Sequence, residues 1–140
     1  MKLAVKRLAP SAKLPVFANP HDAGLDLYAL ESVTLLPHER AQLRTGIALA
    51  IPPGYVGLIW DKSGLSHRFG LKTIGGVIDS GYRGEVLVGL INTGSESHTF
   101  APGDKIAQIL IQQVEAPEIY EVDELDETVR GAQGFGSSGM

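Results

Sequence analysis

Residues 76–92 read GVIDSGYRGEVLVGLIN, and this stretch decides the fold. Two apolar segments, Val77–Ile78 and Val86–Ile91, lie on either side of a polar turn that contains two glycines. Val86–Ile91 is almost continuously apolar, which is typical of a strand whose two faces are both covered. The stretch therefore predicts two strands joined by a turn, with a carboxylate, Asp79, at the end of the first strand.

The rest of the chain repeats this pattern of short apolar runs and turns. Glycine (17 residues) and proline (8 residues) punctuate the sequence at the spacing expected for the short strands of a sandwich or barrel. Strands are predicted near Leu3–Leu8, Leu25–Ala29, Val33–Leu36, Ala41–Thr45, Ile47–Ile51, Tyr55–Trp60, Leu71–Ile74, Val77–Ile78, Glu85–Asn92, His98–Phe100, Lys105–Val114 and Glu118–Val122. Only Ser63–Arg68 is predicted as a helix, with Ser63 at or near its N-terminus.

The predicted fold class is all-β: a jelly-roll-like β-barrel or sandwich with one short helix and a flexible C-terminal tail. A chain of 140 residues allows one domain with a substantial core. Hydrophobic residues make up 44% and charged residues 20% of the chain, which is ordinary for a globular protein. We expect a jelly-roll domain over residues 1–127 and a Gly-rich lid segment over residues 128–140.

Composition also excludes several classes of partner and cofactor. Cysteine is absent, which removes disulfides and Cys-based zinc sites, and the four histidines show no metal-ligand spacing. No apolar stretch approaches the roughly 20 residues of a membrane span, and the first residues lack the apolar core of a signal peptide. We therefore expect a cytoplasmic protein without a membrane partner.

Charge is distributed unevenly along the chain. The formal net charge is −4, and residues 115–127 carry seven acidic side chains and no basic one. No long basic stripe is present, so the sequence does not favour direct nucleic-acid binding. A compact anion held by a few side chains remains compatible with this distribution.

The last residues, Arg130–Gly139, combine four glycines with an Arg, a Phe and two Ser. A frayed terminus explains such a segment. A clamp for a phosphorylated ring explains it as well, because Arg pairs with phosphate oxygens, glycine backbone binds phosphate and Phe offers a stacking face. Residue chemistry alone leaves both interpretations open.

Asp79 and Tyr82 are the sharpest anomaly in the apolar pattern. In one interpretation, Asp79 only caps its own turn, which is common for Asp-Ser-Gly. In the other, it is a carboxylate at a cleft that orients and deprotonates water. Tyr82 then forms a planar wall for a sugar or a base.

Three further polar positions have a structural and a functional interpretation. The Lys62-Ser63-Gly64 segment opens the helical turn and resembles a phosphate cradle, although Ser-Gly after a strand is common turn material. Asp26 is expected to face solvent at a sheet edge. Gln108 lies in an apolar run and needs a partner, which is either a neighbouring backbone group or a ligand.

Taken in order, five segments of the chain resemble the five motifs of the trimeric dUTPase family. They are Ala23–Ala29, Asp61–Leu65, Gly76–Val86, Gly103–Ile111 and Arg130–Gly139. The resemblance implies a jelly-roll homotrimer with three active sites, each built from motifs of different subunits. It also implies Mg²⁺-dependent hydrolysis of dUTP to dUMP and pyrophosphate, which limits uracil in DNA and supplies dUMP for dTMP synthesis.

The resemblance also implies roles for individual residues. Asp79 activates the water that attacks the α-phosphorus, and Tyr82 packs under the deoxyribose, where a ribose 2′-OH does not fit. Uracil is read by main-chain groups of Gly76, Val77 and Ile78, with Leu87 nearby. Phosphates are bound by Lys62, Ser63 and Gly64, with Gln108 and Asp26 near the metal through water and no direct metal ligand. In the tail, Arg130 binds the γ-phosphate, Phe135 and Gly136 close over the base, and Ser137 and Ser138 contact phosphate.

Two positions depart from the family pattern. Lys62 stands where Arg is common, and a lysine keeps the charge without the bidentate fork. Thr73 stands six residues before Asp79, where many members carry an Asn that reads uracil. Both departures concern substrate specificity more than reaction type.

Three alternatives come from other classes of protein. A dCTP deaminase requires a glutamate in the pocket, and Glu85 is the nearest candidate. A dUTP-responsive binding module retains the pocket without turnover. A structural jelly-roll trimer uses the polar residues only in turns and binds no nucleotide.

Overall fold

The computed structural model describes residues 1–134, and within that range the chain is built mainly of strands. The elements are β1 (Ala4–Arg7), β2 (Val16–Phe17), β3 (Leu25–Tyr28), β4 (Val33–Leu35), β5 (Arg40–Ala50), β6 (Tyr55–Trp60), α1 (Ser63–Phe69), β7 (Leu71–Ile74), β8 (Val77–Ile78), β9 (Glu85–Asn92), β10 (His98–Phe100) and β11 (Lys105–Gln113). The helix has seven residues, so the chain is all-β as predicted.

The strands form two larger sheets and one small one. Four strands are ordered β1-β5-β9-β7, five are ordered β2-β3-β11-β6-β8, and β10 pairs with β4. Every pairing is antiparallel. The two larger sheets and their long crossover connections confirm the predicted jelly-roll-like architecture.

One cluster of buried side chains joins the two larger sheets. Leu27 and Ile109 come from the five-stranded sheet, and Leu43 and Val88 come from the four-stranded sheet. All four are completely shielded from solvent. Burying an aliphatic side chain of this size stabilises the folded state by about 1.5–3 kcal/mol, so this cluster holds the sheets together.

Strand β9 follows the prediction on one face and departs from it on the other. Val86, Val88 and Leu90 are buried, whereas the alternating residues, including Leu87, are only half-buried. The expectation of a strand covered on both faces is therefore met on one face of this single chain.

Three local predictions need correction. Ala41–Thr45 and Ile47–Ile51 belong to one strand, β5, whose pairing with β9 is irregular between Arg44 and Ala48. Strand β2 was not predicted, because two residues are too short for a periodic signal. Glu118–Val122 is not a strand. Its side chains are exposed in the described chain, so its apolar and acidic alternation lacks a sheet to pack against.

The body of strands ends at Gln113, and residues 114–134 contain neither helix nor strand. The proposed division at residue 127 remains a prediction, as does the lid segment 128–140. Among residues 1–134, no helix has the length and apolar character to cross a membrane.

Candidate active site

The Asp79 region forms a cleft where the chain passes from one sheet to the other. Strand β8 lies at the edge of the five-stranded sheet and pairs with β6, and β9 belongs to the four-stranded sheet. The cleft has a volume of about 230 Å³ and is lined by Gln42, Val77, Ile78, Asp79, Tyr82, Glu85 and Leu87. The structure therefore brings together five residues that the sequence singled out: Val77, Ile78, Asp79, Tyr82 and Leu87.

The Asp79 side chain is exposed and does not hold the turn together. Within residues 1–134 its carboxylate accepts no hydrogen bond, while its backbone carbonyl accepts one from the Tyr82 N–H at 3.1 Å. The turn is instead held by Arg83, whose Nη1 donates to the carbonyls of Ser80 at 2.7 Å and Tyr82 at 2.9 Å. The carboxylate of Asp79 is thus left to face the cleft, and the turn-cap interpretation does not describe it.

Tyr82 is held flat against the turn by its neighbours. Its hydroxyl donates to the backbone carbonyl of Glu85 at 3.0 Å, and its ring lies over Gly84. A Cβ atom at Gly84 would come within 2.4 Å of the Tyr82 hydroxyl oxygen, so only glycine permits this packing. Tyr82 remains 44% exposed and offers a planar wall to the cleft.

Two further residues line the cleft: Gln42, which sequence reasoning did not single out, and Glu85, the candidate glutamate of the deaminase alternative. Gln42 reaches the cleft from β5, where it is paired with Gly89. No local signal links Gln42 to Asp79, because only the register between β5 and β9 brings the two residues to one cleft. Glu85 is engaged by Arg44, whose Nε lies 3.1 Å from its carboxylate, and by the Gly46 N–H at 2.8 Å. Both partners tie Glu85 to β5, which disfavours it as a free pocket glutamate of the deaminase type.

A second polar cluster centres on Asp26. Its side chain is 2% exposed, so the expectation that it faces solvent is wrong. Lys62 Nζ donates to Asp26 Oδ1, and Lys105 Nζ lies 2.7 Å from Oδ2. The Lys105 contact is an ion pair without hydrogen-bond geometry. The expectation failed because β3 lies between β2 and β11, and both lysines come from distant parts of the chain.

Electrostatics keep Asp26 charged despite its burial. Burial raises the pKa of this carboxyl, but the nearby ammonium groups of Lys105 and Lys62 outweigh that effect, so the pKa lies below its ordinary value. The same pairing raises the pKa of Lys105, mainly through its close contact with Asp26. The cluster therefore carries two ammonium groups and one carboxylate, a net positive charge.

The start of α1 lies beside this cluster. Lys62 occupies the N-cap position, and no side chain caps the helix. Ser63 is the first helical residue and does not cap it, and both Ser63 and Gly64 are exposed. The polar groups of this segment are therefore accessible next to the two lysines.

Asp61 connects this segment to the rest of the site. Its carboxylate accepts hydrogen bonds from the Thr73 N–H and hydroxyl, each at 2.7 Å, and from Lys72 Nζ at 2.6 Å. Its backbone carbonyl accepts Gln108 Nε2 at 2.8 Å. Gln108 thus satisfies a neighbouring backbone group, one of the two roles expected for it.

The two polar clusters lie far apart within one chain. Ile78 pairs with Gly57 near the start of β6, whereas Lys62 follows the end of that strand. Strand β6 has six residues, and a strand of that length spans about 20 Å. The register therefore places Asp79 and Lys62 at opposite ends of β6.

The tail residues are only partly described. Arg130 is exposed, and its Nε donates to the carbonyl of Gln133 at 2.9 Å. Phe135, Gly136, Ser137 and Ser138 lie outside the described residues. Their predicted contacts with base and phosphate stay predictions.

Magnesium carried on the phosphates of a substrate is compatible with the described residues. Over residues 1–134 no group of three or more potential metal ligands occurs. Both oxygens of Asp26 face lysines, so a cation bound directly there would displace an ammonium group. Magnesium commonly keeps several waters and binds substrate phosphates, which requires no such cage.

Fold and site together define the class of protein: an all-β domain of jelly-roll type with an exposed carboxylate in one cleft and a cationic cluster elsewhere on the chain. A sequence model of dUTPases matches residues 11–139. The chain belongs to the dUTPase family.

Curated relatives are similar over nearly the whole chain. Deoxyuridine 5′-triphosphate nucleotidohydrolase from Thermobifida fusca is 48% identical over 99% of this chain and 79% of the relative. The protein of the same name from Mycolicibacterium gilvum is 50% identical over 98% of this chain and 94% of the relative.

Solved structures of phage dUTPases share the fold. A point mutant of the Staphylococcus bacteriophage 80alpha dUTPase with dUpNHpp superposes with a TM-score of 0.94, at 32% identity and 99% coverage of both chains. A point mutant of the phage phi11 dUTPase, described in terms of a coordinated structural Mg(II) ion, gives a TM-score of 0.83 at 31% identity, covering 89% of this chain and 98% of that one.

Proposed function

We propose that this protein hydrolyses dUTP to dUMP and pyrophosphate. The observation that carries the proposal is the exposed Asp79 carboxylate, free of hydrogen bonds within residues 1–134, in a cleft walled by Tyr82. Family membership and the names of the relatives support dUTP as the substrate.

Asp79 acts as the general base. Its carboxylate takes a proton from a water molecule as that water attacks the α-phosphorus. A bond forms between the water oxygen and phosphorus, the bond from phosphorus to the bridging oxygen breaks, and pyrophosphate leaves. Phosphoryl transfer of this kind depends mainly on positioning and charge neutralisation.

The same cleft selects the nucleoside. Main-chain groups of Gly76, Val77 and Ile78 read the polar edge of uracil, with the backbone of Leu87 nearby. The Tyr82 ring lies under the deoxyribose, and a 2′-hydroxyl collides with it. The hydrogen bond from Tyr82 to Glu85 supports this role because it fixes the ring plane.

Cationic and small residues bind the triphosphate. Lys62, Ser63 and Gly64 contact phosphate oxygens beside the net positive charge of the Asp26 cluster. Gln108 and Asp26 lie behind them and act through water. Mg²⁺ bound with the substrate neutralises phosphate charge, and this chain supplies no direct ligand to it.

Residues 128–140 form a lid over the bound nucleotide. Arg130 binds the γ-phosphate, Phe135 and Gly136 cover the base, and Ser137 and Ser138 contact phosphate. Closing such a segment excludes water and orders the substrate.

The active sites are shared between subunits of a homotrimer. The placement of Asp79 and Lys62 at opposite ends of β6 supports this proposal, because one nucleotide needs both. Exposed apolar side chains, among them Trp60 and Val77, are available for subunit contacts.

In this role the enzyme limits uracil in DNA and supplies dUMP for dTMP synthesis. We place this role in the cytoplasm.

The test is pyrophosphate release with Mg²⁺ from dUTP, dCTP, dTTP and UTP, each at the same concentration. We expect rapid release from dUTP alone. Ammonia released from dCTP would replace the proposal with the deaminase alternative. Absence of both release and nucleotide binding would favour a structural trimer.

A second candidate function is regulation by dUTP. The fold superposes with a TM-score of 0.94 on a phage 80alpha dUTPase. That protein is described as controlling transfer of virulence genes by a G protein-like mechanism. In this candidate function, the chain binds dUTP and acts on a partner without needing to hydrolyse the nucleotide. Tight dUTP binding without pyrophosphate release would favour it over hydrolysis.

A further inference from the structure

Asp61, between β6 and α1, accepts four hydrogen bonds. It is 19% exposed. Its Oδ1 accepts both donors of Thr73, its Oδ2 accepts Lys72, and its backbone carbonyl accepts Gln108. None of these contacts caps α1, whose N-terminus lacks a side-chain cap.

These contacts join three strands from both larger sheets. Lys72 and Thr73 lie on β7, the edge strand of the four-stranded sheet, while Gln108 lies on β11 of the five-stranded sheet. Asp61 itself follows β6. It therefore bridges the sheets directly before Lys62, the first residue assigned to phosphate binding.

The Thr73 contacts also reach the segment assigned to base reading. Thr73 lies on β7, and only Ile74 and Gly75 separate it from Gly76, in the turn that enters β8. The Gly76 carbonyl accepts a hydrogen bond from the Ile59 N–H at 2.8 Å. Gly76 has a φ of +108°, and a Cβ atom at this position would lie 2.9 Å from the Ile59 carbonyl oxygen. The turn is thus anchored to the end of β6 at two points, through Asp61 and through Ile59.

Thr73 has both of its donors committed. Its N–H and its hydroxyl each donate to Asp61 at 2.7 Å. Neither donor is available to a uracil base. Thr73 therefore contributes to base reading by fixing the position of the turn.

We propose that Asp61 is a positioning residue that fixes both the phosphate-binding segment Lys62–Gly64 and the turn that leads into the base-reading strand β8. The inference rests on the proposed function. It adds a residue that contacts no substrate and sets the geometry of two substrate-binding segments through Thr73 and Gln108.

Two partial ligands separate the two segments experimentally. Inorganic triphosphate probes the phosphate segment, and dUMP probes base and sugar binding. Dissociation constants come from calorimetry with Mg²⁺, which needs no turnover. The variants are Asp61→Ala, Thr73→Val and their combination, with Glu39→Ala as the matched control. Glu39 also accepts a backbone N–H, from Leu36 at 2.9 Å, and lies outside the site.

Asp61→Ala is expected to weaken both probes by about tenfold, the effect of a lost hydrogen bond to a charged group. Thr73→Val is expected to weaken the binding of dUMP alone. The double variant should bind dUMP no more weakly than Asp61→Ala does, because the hydroxyl removed by Thr73→Val donates to the carboxylate removed by Asp61→Ala. Glu39→Ala leaves both constants unchanged.

A purely structural role gives a different result. In that case Asp61→Ala lowers the melting temperature while both dissociation constants match the wild type, which would overturn the inference. If Asp61→Ala does not fold, unchanged dUMP binding by Thr73→Val overturns it. Wild-type protein that fails to release pyrophosphate from dUTP refutes the proposed function instead, and the two failures are therefore distinguishable.

Discussion

Nζ of Lys105 lies 2.7 Å from Oδ2 of Asp26, a carboxylate that is almost completely buried. Lys62 donates to the other oxygen. Asp26 thus pairs with Lys105 on β11 and with Lys62 at the N-cap of α1, beside the segment to which we assign phosphate binding. Its removal leaves both ammonium groups without their partner.

Asp26→Asn is expected to lower the free energy of unfolding at pH 7 by about 2 kcal/mol. Breaking a fully buried pair costs more, but both lysines here are partly exposed and recover hydration. Urea unfolding measures the change, and Glu39→Gln, at an exposed turn, serves as the control. A loss below about 0.5 kcal/mol, the usual range for a surface substitution, would contradict the pairing.

The free energy of unfolding at acidic pH should depend on the same carboxylate contacts. The pKa of Asp26 is lowered from 3.8 because the ammonium groups of Lys105 and Lys62 outweigh the effect of burial. The pKa of Asp61 is lowered likewise by Lys72 and the hydrogen bonds from Thr73. A carboxyl with a lowered pKa stabilises the fold above its unfolded value and loses that contribution as the pH falls through the lowered value.

The difference in unfolding free energy between wild type and Asp26→Asn should therefore be constant near neutral pH and shrink below about pH 4. Urea unfolding at pH 7, 5, 4 and 3 measures it. A difference that grows on acidification would show that Asp26 does not hold its charge through these contacts.

Much of the fold could be predicted because strand signals are local. Leu71–Ile74 and Glu85–Asn92 were predicted with their observed bounds, since apolar runs between turn residues need no distant information. Glu118–Val122 failed for the opposite reason. Its residues suit a strand, but a strand exists only where a neighbour pairs with it.

In the candidate site too, local contacts could be predicted from the sequence and contacts with remote residues could not. Val77, Asp79 and Tyr82 share a cleft because one turn joins them, so their proximity could be predicted from sequence. Asp26 was misjudged because its lysine partners are remote in sequence. The contacts of Asp61 depend on where β7 and β11 lie relative to it, which no local pattern encodes.

Tyr82→Ala should relax the rejection of UTP. Removing the ring opens space for a 2′-hydroxyl, and we expect the ratio of kcat/KM for UTP to that for dUTP to rise by about tenfold or more. Steady-state pyrophosphate release measures both. Tyr82→Phe keeps the ring and should keep most of the discrimination. Equal discrimination in Tyr82→Ala and wild type would assign the role to another residue.

Deleting residues 128–140 should reduce kcat/KM for dUTP by about 100-fold or more, because the lid orders the substrate. The melting temperature should hold, since the body of strands ends at Gln113. Turnover at the wild-type rate in the shortened chain would exclude a lid function for this segment.

The most direct test of the account is Asp79→Asn. The substitution keeps the size of the side chain and removes the base, so kcat for dUTP should fall by about 100-fold to 10,000-fold. The dissociation constant for dUpNHpp, measured on the same preparation, should stay within about threefold of the wild-type value, because an intact cleft is worth most of the binding energy. Wild-type turnover by Asp79→Asn would contradict the assignment of Asp79 as the general base.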